Sequence, residues 1–257
     1  MSVTVKNEQE ITAMREGGKR LAEIMGKIGE NVGPGINTLE LDKLAEELVF
    51  RQDGIPAFKG YGKKIGNFFP ATICASLNDA VVHGIPSEKI ILQEGDILKI
   101  DIGMKFEGLF TDMARTFPVG RISAEAKRLI SITEQSFREG IKNMKAEMFL
   151  SDYSKTVQIY AESEGFSIVR SLVGHGIGKK MHEDPQIPNY FSKNYWDYKL
   201  RAGMTLALEP MVNAGHFEVK MDNDGWMFMT KDGSLSAHYE NTVLITEKGT
   251  EILTDPK

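Results

Sequence analysis

The sequence predicts an α+β fold made of two related halves. Residues with helical spacing come before a group of short apolar runs, and this order of helices and then strands occurs twice along the chain. Residues 92–101 (LQEGDILKID) and 200–209 (LRAGMTLALE) are also similar at five positions with one constant offset, and each ends an apolar run with a carboxylate. Such a repeat indicates two related structural units. We therefore expect one domain, 1–257, whose halves are about 1–120 and 121–257.

Four helices are predicted from apolar side chains at helical spacing and from the residues that cap or break a helix. The first helix is followed by the breaker Gly33-Pro34-Gly35, Thr38 is the predicted N-cap of the second, and Gly165 ends the fourth. The predicted spans are 7–30, 38 to about 52, about 123–141 and about 152–164.

Strands are predicted where short apolar runs lie between glycine and proline residues. Glu107-Gly108 has the composition of a hairpin turn, so the runs 97–104 and 109–117 are expected to pair antiparallel. The other predicted strands are 71–77, 167–172, 204–211, 226–230 and 237–246.

Composition excludes several classes of protein. The chain has 257 residues, with 41% apolar and 26% charged side chains, as expected for a globular domain with a full core. It contains no run of about 18 apolar residues that would span a membrane, and its N-terminus lacks the pattern of a signal peptide. The single cysteine, Cys74, excludes an intramolecular disulfide and a cysteine-based zinc site, and it favours a cytoplasmic location.

The net charge of −5 argues against a dedicated nucleic-acid-binding protein, so no DNA or membrane partner is expected. Two basic clusters remain, Lys59/Lys63/Lys64 and Lys179/Lys180. Solvated surface loops explain them most simply, and the alternative is a transient contact with ribosomal RNA.

Four carboxylates lie in or beside apolar runs, where a charge is costly unless it is paired or bound to a cation. Each one alone could be a strand end that faces solvent, but four such positions, two of them related by the repeat, favour a shared site. Like charges in a core repel each other and take up protons, and a pair of divalent cations removes this repulsion. The four are Asp101, Asp112, Glu209 and Glu240.

Histidines provide further candidate ligands and catalytic groups. His175 lies between glycines in the segment GHGIG, which lets the backbone bring its imidazole close to a cation. His83 and His182 lie in other loops, whereas His216 and His238 have no comparable surroundings and are interpreted as ordinary. The glycines of GHGIGKK do not make a phosphate-binding loop, because the spacing and the ending of that motif are absent.

Nucleophilic catalysis by a side chain has little support. The sequence contains no GxSxG segment for a Ser-His-Asp triad. Cys74 lies in the apolar run ATICASL, and a buried thiol without a positive neighbour is inert.

A family resemblance is carried by five segments: SLNDAVVHGIP (76–86), GDILKIDIGMKFEGLFTDMART (95–116), GHGIGKKMHEDP (174–185), GMTLALEPMVNAG (203–215) and SAHYENTVLIT (236–246). In this order they closely resemble the type I methionine aminopeptidases, over nearly the whole chain. The resemblance implies the pita-bread fold, in which two pseudo-symmetric halves with antiparallel sheet and flanking helices enclose a metal site. It also implies the activity, which is removal of the initiator methionine from nascent polypeptides when the second residue is small.

The resemblance implies two divalent cations. Four carboxylates and one imidazole form a harder donor set than a usual zinc site, so Co, Mn or Fe would suit it, and Zn is also compatible. Asp112 and Glu240 would bridge both ions, and Asp101 would complete one site. His175 and Glu209 would complete the other site, and Glu209 would also pass a proton to the leaving amine. The five implied ligands are Asp101, Asp112, His175, Glu209 and Glu240.

The resemblance also implies the residues that contact substrate. His83 and His182 match the two catalytic histidines that contact the substrate and stabilise its developing negative charge. Asn78 and Ser236 resemble positions near an accessory monovalent cation. The residues that resemble the methionine pocket are Tyr61, Phe69, Cys74, Met181 and Trp226.

Two positions depart from the family pattern, since His238 replaces a common glutamine and Asn241 a common histidine. Neither is a ligand position by resemblance. The implied partners are nascent polypeptide N-termini, and a monomer is expected. Two rival interpretations are a prolidase or aminopeptidase P, which carry a large N-terminal domain that this sequence lacks, and an interaction module that has lost its metal ligands. The retained ligand set argues against the second.

Overall fold

The computed structural model describes residues 3–62, 66–194 and 197–255. These residues form four α-helices, and each lies within two residues of its predicted span. The helices are α1 (Glu8–Gly29), α2 (Thr38–Arg51), α3 (Ala124–Ile141) and α4 (Leu150–Ser163).

Polar side chains fix the starts of the helices. Asn7 and Glu10 form a capping box at α1, in which each side chain accepts a hydrogen bond from the other residue's backbone N–H. At α2 the cap is Asn37, so the predicted cap, Thr38, is the first helical residue instead. The Thr38 hydroxyl is used elsewhere: it donates to the carbonyl of Ser87 and accepts from its N–H, which ties α2 to the loop that precedes the central hairpin.

The described residues also form fifteen strands, most of them short. They are β1 (Ile55–Pro56), β2 (Ile73–Leu77), β3 (Ala80–Val82), β4 (Ile97–Phe106), β5 (Leu109–Pro118), β6 (Ser167–Ile168), β7 (Gly174–Gly176), β8 (Glu183–Ile187), β9 (Thr205–Leu208), β10 (Met211–Asn213), β11 (Val219–Met221), β12 (Phe228–Thr230), β13 (Ser236–His238), β14 (Glu240–Ile245) and β15 (Thr250–Ile252).

The main sheet is antiparallel and has the order β1-β4-β5-β14-β9-β7-β8, with β2 also paired to β4 and β15 to β14. As predicted, β4 and β5 form a hairpin whose turn is Glu107-Gly108, and both turn residues have positive φ. The order is symmetric about the β5–β14 boundary, since β4 and β9 each lie one strand away from it. These two strands carry the sequence repeat, in agreement with the predicted α+β architecture.

Two predicted strands are divided in the structure, and both breaks lie beside a candidate ligand. Residues 204–211 form β9 and β10, separated by Glu209-Pro210, because proline has no N–H for the ladder. Residues 237–246 contain β13 and β14, separated at Tyr239, whose N–H donates to the carbonyl of Pro210. A hydrogen bond therefore joins the two breaks.

Six strands of two to five residues were not predicted from the sequence, because they are too short to show a period. They are β1, β3, β7, β8, β11 and β15.

Two apolar cores underlie the two halves of the main sheet. Helices α1 and α2 pack on β2, β4 and β5 through side chains that include Leu21, Leu41 and Ile100. Helices α3 and α4 pack on strands of the second half through a cluster that includes Leu129 and Leu206. Among the described residues, no helix has the length and apolar character needed to cross a membrane.

Candidate metal centre

The four carboxylates expected from the sequence line one cavity of about 750 Å³. The hairpin places Asp101 of β4 opposite Ala114 of β5, two residues beyond Asp112. Glu240 begins β14 and pairs with Ala114 from the other side, while Glu209 directly follows β9. Four neighbouring strands of the main sheet thus supply one carboxylate each, at the middle of its symmetric order.

Asp101, Asp112 and Glu240 are buried and Glu209 is 14% exposed, and burial is the main cause of the shifted pKa values of all four. It raises the pKa of Asp101, Glu209 and Glu240 well above the usual range, and repulsion from neighbouring carboxylates raises it further. Burial also raises the pKa of Asp112 to about 7. One oxygen each of Asp101, Asp112 and Glu240 has no hydrogen-bond partner within the described part of the chain. Buried carboxylate oxygens without partners fit divalent cations, which would neutralise the charge and occupy the free oxygens.

Two groups of side chains bring candidate ligand atoms within 4.8 Å of one another. One group is Asp112, His175 and Glu240, and the other is Asp101, His238 and Glu240. Glu240 belongs to both groups, which is the arrangement that a carboxylate between two cations requires.

His175 is oriented by its own strand. Its Nδ1 lies 2.8 Å from the carbonyl oxygen of Gly176, to which it donates, so the lone pair is on Nε2. Nε2 is 3.7 Å from Glu209 Oε1 and 4.0 Å from Asp112 Oδ2. Burial lowers the pKa of His175 to about 3, which keeps the imidazole neutral. A Cβ on Gly174 would lie 2.5 Å from a backbone oxygen of β9, so glycine is needed for this close approach.

His83 is held by a strained loop at the cavity wall. Its φ is +60°, which is uncommon outside glycine and is found often at functional sites. The next residue, Gly84, donates its N–H to Ser76 Oγ at 3.0 Å, and a Cβ there would lie 2.4 Å from the carbonyl oxygen of Ala75. Burial lowers the pKa of His83 to about 4, and its ring packs edge-on against Phe228. The side chain is therefore a neutral and fixed hydrogen-bonding group.

His182 lines the same cavity. Its Nδ1 shares a hydrogen bond of 2.9 Å with the hydroxyl of Tyr61, and its ring centroid is 4.4 Å from that of His175. Like His83, it lines the cavity without belonging to either group of clustered ligand atoms.

An apolar pocket adjoins the carboxylates. Phe69 makes edge-to-face contacts with Trp226 at 5.4 Å and with Phe58 at 6.5 Å, and Cys74 pairs with Asp101 across β2 and β4. The apolar wall residues that the sequence did not single out are Phe58, Val82, Leu172, Val173 and Met211. The pocket residues expected from the sequence that line the cavity are Tyr61, Phe69, Cys74 and Trp226.

Met181 is the expected pocket residue that the structure places elsewhere. It is buried with Met14, Leu109 and Ile177 in a neighbouring apolar cluster and is not among the residues that line the cavity. Its methyl group fills the space above Gly103, where a Cβ would lie 2.9 Å away. Met181 therefore supports the wall from behind.

His238 was interpreted as ordinary from the sequence, and the structure corrects that interpretation. Its side chain is 1% exposed, and Nε2 lies 3.8 Å from Glu240 Oε2 and 3.9 Å from Glu209 Oε2. Burial lowers the pKa of His238 to about 3. The sequence does not indicate this position, because the break at Tyr239 places His238 and Glu240 on different strands, β13 and β14, so that no period of two relates them.

The two residues expected near an accessory cation do meet. Ser236 donates its N–H to the carbonyl oxygen of Asn78 at 3.1 Å. The same oxygen accepts a hydrogen bond of 2.6 Å from the ammonium of Lys99, a residue that is 1% exposed. Burial lowers the pKa of Lys99 to about 7, while Asp79 and Asp96 favour its charged form.

The basic clusters are partly neutralised. Lys59 pairs with Glu46 at 2.6 Å and Lys179 with Glu10 at 2.8 Å, and both Lys179 and Lys180 line the cavity. Lys63 and Lys64 lie outside the described residues. A contact with ribosomal RNA stays a prediction.

Comparison with known proteins shows which family the chain belongs to. Metallopeptidase family M24 matches residues 12–247. A methionine aminopeptidase of Clostridium perfringens is 51% identical over 253 residues, which is 98% of each chain. The crystal structure of a methionine aminopeptidase from Thermotoga maritima is 40% identical and superimposes with a TM-score of 0.94 over 99% of this chain and all of that one. A prolidase from Pyrococcus furiosus shares the fold at 21% identity, with a TM-score of 0.78 over 98% of this chain and 66% of its own. The chain therefore belongs to metallopeptidase family M24 and, within it, to the methionine aminopeptidases.

Proposed function

We propose that this metalloaminopeptidase removes the initiator methionine from nascent polypeptides whose second residue is small. The observation that carries the proposal is the shared cavity, in which an apolar pocket ends at four buried carboxylates and His175. The pocket accommodates an unbranched apolar side chain, and the polar end holds the reacting peptide bond. The free α-amine of the substrate would lie at the same polar end, which would restrict cleavage to the first residue.

Two divalent cations would be held by this chain's buried ligands. Asp112 and Glu240 would contact both ions, with Asp101 at one ion and His175 and Glu209 at the other. When bound, such ions supply Lewis-acid activation of a water molecule and of the scissile carbonyl group. The donor set suits Mn, Fe or Co, and Zn is compatible with it.

The side chains around the ions have separate roles. Glu209 is the most exposed of the four carboxylates at 14%, so it is placed to take a proton from the attacking water and pass it to the leaving amine. His83 and His182 donate hydrogen bonds to the substrate carbonyl oxygen as negative charge develops on it. Tyr61 orients His182 through their shared hydrogen bond.

The biological setting follows from this substrate. The partners are nascent polypeptide N-termini, which are met in the cytoplasm, and the chain acts as a monomer with a single catalytic domain whose halves are about 1–120 and 121–257. Lys179 and Lys180, which line the cavity, are the residues of the basic clusters best placed for a transient ribosome contact.

Methionine release from a Met-Ala-Ser peptide tests the proposal. We expect turnover with Co(II) or Mn(II), none after chelation, and little with Met-Trp-Ser, whose second residue is large. Leu-Ala-Ser should be poorer by about 1–3 kcal/mol, the usual discrimination of an apolar pocket by shape. Faster cleavage of Ala-Pro than of Met-Ala-Ser would favour the prolidase-like alternative, and turnover that survives chelation would exclude a metal-dependent reaction.

A further inference from the structure

His238 is a buried imidazole without hydrogen bonds. Its side chain is 1% exposed, and neither Nδ1 nor Nε2 has a partner among the described residues. Buried polar atoms are almost always satisfied by protein, water or a ligand. The ring lies against Glu209 and Glu240, at the polar end of the proposed site.

Either hydrogen bonds to the carboxylates or a bound cation could satisfy the nitrogens of His238, and the distances distinguish between these two possibilities. Direct hydrogen bonds to the carboxylates do not form, because 3.8 Å to Glu240 and 3.9 Å to Glu209 exceed hydrogen-bonding range. The same spacing separates His175 from its carboxylates, at 3.7 and 4.0 Å. Ligand atoms that each lie about 2.0–2.2 Å from one ion are about 3–4 Å apart.

We propose that His238 is a direct ligand of the cation held by Asp101 and Glu240. Each of the two ions then has one imidazole, His175 on one side and His238 on the other, as the two groups of clustered ligand atoms suggest. This inference rests on the proposed two-cation centre and not on the identity of the substrate. An added nitrogen donor makes the Asp101 site softer, so it should prefer Co(II) or Zn(II) over Mn(II) more strongly than a site of carboxylates alone.

Co(II) is the probe that distinguishes one imidazole ligand from two. Proton NMR of the full chain loaded with two equivalents of Co(II) should show two strongly shifted, solvent-exchangeable imidazole N–H signals. His238→Gln, which introduces the residue common in the family, should lose one signal, and calorimetry should show one of the two affinities reduced by about 10-fold or more. His216→Gln, at a histidine that is 57% exposed, should change neither result.

Failure of this inference can be distinguished from failure of the two-cation centre. A single imidazole signal in the unsubstituted protein, or unchanged affinities in His238→Gln, would overturn this role of His238 while leaving the two-cation centre intact. Failure of the unsubstituted protein to bind any Co(II) would overturn the centre itself.

Lys99 carries a second inference, which does not depend on the distances around His238. Lys99 crosses from β4 to the turn at Asn78, which has a φ of +50° and precedes β3 and His83. Asn78 also bonds through its side chain to Asp96 at 2.8 Å, and its carbonyl oxygen accepts from Ser236 of β13. The carbonyl oxygen of Asn78 thus joins the turn and β13 to a buried ammonium, and the side chain of Asn78 joins the turn to Asp96.

The geometry points to Lys99 as a built-in substitute for the accessory monovalent cation expected at Asn78 and Ser236. An ammonium is a compact positive charge, and here it contacts the carbonyl oxygen that such an ion would need. It fastens the turn that leads to His83 onto the strand that carries Asp101. Lys99 is therefore a positioning residue, and the protein should not require K⁺ or Na⁺.

Exchange of Lys99 for a smaller residue tests this. At pH 6 and constant ionic strength, the melting temperature of the unsubstituted protein should be the same in KCl, NaCl and tetramethylammonium chloride, whose cation is too large for the site. Lys99→Ser should melt lower in tetramethylammonium chloride and recover in KCl or NaCl, because a small ion can enter the vacated space. Lys99→Met, which fills the space without charge, should melt lower in all three salts. Dependence of the unsubstituted protein on K⁺ or Na⁺, or failure of either ion to restore Lys99→Ser, would overturn the inference.

Discussion

Asp112 is expected to need both of its carboxylate oxygens to hold the two cations. Asp112→Asn keeps the shape of the side chain but removes its charge and one acceptor, so it cannot satisfy two cations. We expect methionine release to fall below detection and metal retention to fall by more than the about 10–100-fold seen when an outer partner of a ligand is removed. Metal analysis after gel filtration and Met-Ala-Ser turnover measure both effects. Asp53→Asn, at a carboxylate that is 86% exposed, is the matched control, and near-normal turnover of Asp112→Asn would contradict the bridging role.

His83 should behave differently from the ligands. Because it lines the cavity outside both groups of clustered ligand atoms, His83→Ala should bind two ions with near-normal affinity. Its kcat should fall by about 10²–10³, the usual loss for one donor to a developing oxyanion. Calorimetric metal titration and kinetics at saturating metal separate the two quantities. Recovery of the unsubstituted rate in excess metal would show that His83 is a ligand instead, and His216→Ala serves as the control.

The carboxylates and three histidines of the cavity could be predicted from the sequence, whereas His238 could not be distinguished from an ordinary histidine. Asp101 and Glu209 stand out because a charge follows an apolar run, which is visible without coordinates. His238 follows Ala237 in a short strand, and its importance depends on the break at Tyr239 that turns it toward Glu240. Met181 was expected to line the pocket but packs behind the cavity wall. Its neighbours in the sequence do not indicate which of these two positions it takes.

At the scale of elements, helices were predicted more closely than strands because their signals are local. The capping box of Asn7 and the apolar period of α1 are contained within the helix itself. The short strands β7 and β10 depend on distant partners: β7 pairs with β8 and β9, and β10 with β6 and β13. Such pairing is set by tertiary contacts that a three-residue segment does not encode.

The loop that carries His83 should be sensitive to one methyl group. Gly84→Ala would place a Cβ 2.4 Å from the Ala75 carbonyl oxygen of β2, so either the loop or the strand must shift. We expect the free energy of unfolding to fall by about 1–3 kcal/mol, as for other overpacked sites, and kcat to fall as His83 moves. Urea unfolding and kinetics at saturating metal measure these effects. Gly33→Ala, where an added Cβ meets nothing within 4 Å, is the control. A destabilised Gly84→Ala with unchanged kcat would show that the loop does not position His83.

At the scale of the whole molecule, the symmetric sheet gathers negative charge at its centre. Strands β4, β5, β14 and β9 each bring one carboxylate to the same cavity, and two apolar cores flank them. Without bound cations, the folded chain therefore disfavours the ionised form of these carboxylates, as their raised pKa values show. Binding of cations should release protons and stabilise the native state together.

Stability of the metal-free protein should accordingly fall as pH rises from about 6.5 to about 8. In this range the unfolded chain has already released the proton of Asp112, whereas the folded chain, in which the pKa of Asp112 is about 7, retains part of it, so each rise in pH favours unfolding. Asp101, Glu209 and Glu240, whose pKa values are also raised in the folded chain, act in the same direction. The buried neutral histidines have lowered pKa values and act in the opposite direction, but their contribution is complete above about 6.5, the value in the unfolded chain. Lys99, with a pKa of about 7, also opposes the trend, but it is one group against four carboxylates.

Thermal unfolding of chelator-treated and Mn(II)-loaded protein across this range checks the prediction. We expect the melting temperature of the metal-free protein to fall with rising pH, and the gap between the two forms to widen, because cations replace the protons that the carboxylates otherwise retain. Asp112→Asn should reduce the slope of the metal-free protein, since it removes one carboxylate and lessens the repulsion at the others. A metal-free melting temperature that rises with pH would show that the carboxylates are ionised without cost in the folded chain, and the electrostatic basis of the metal centre would then be wrong.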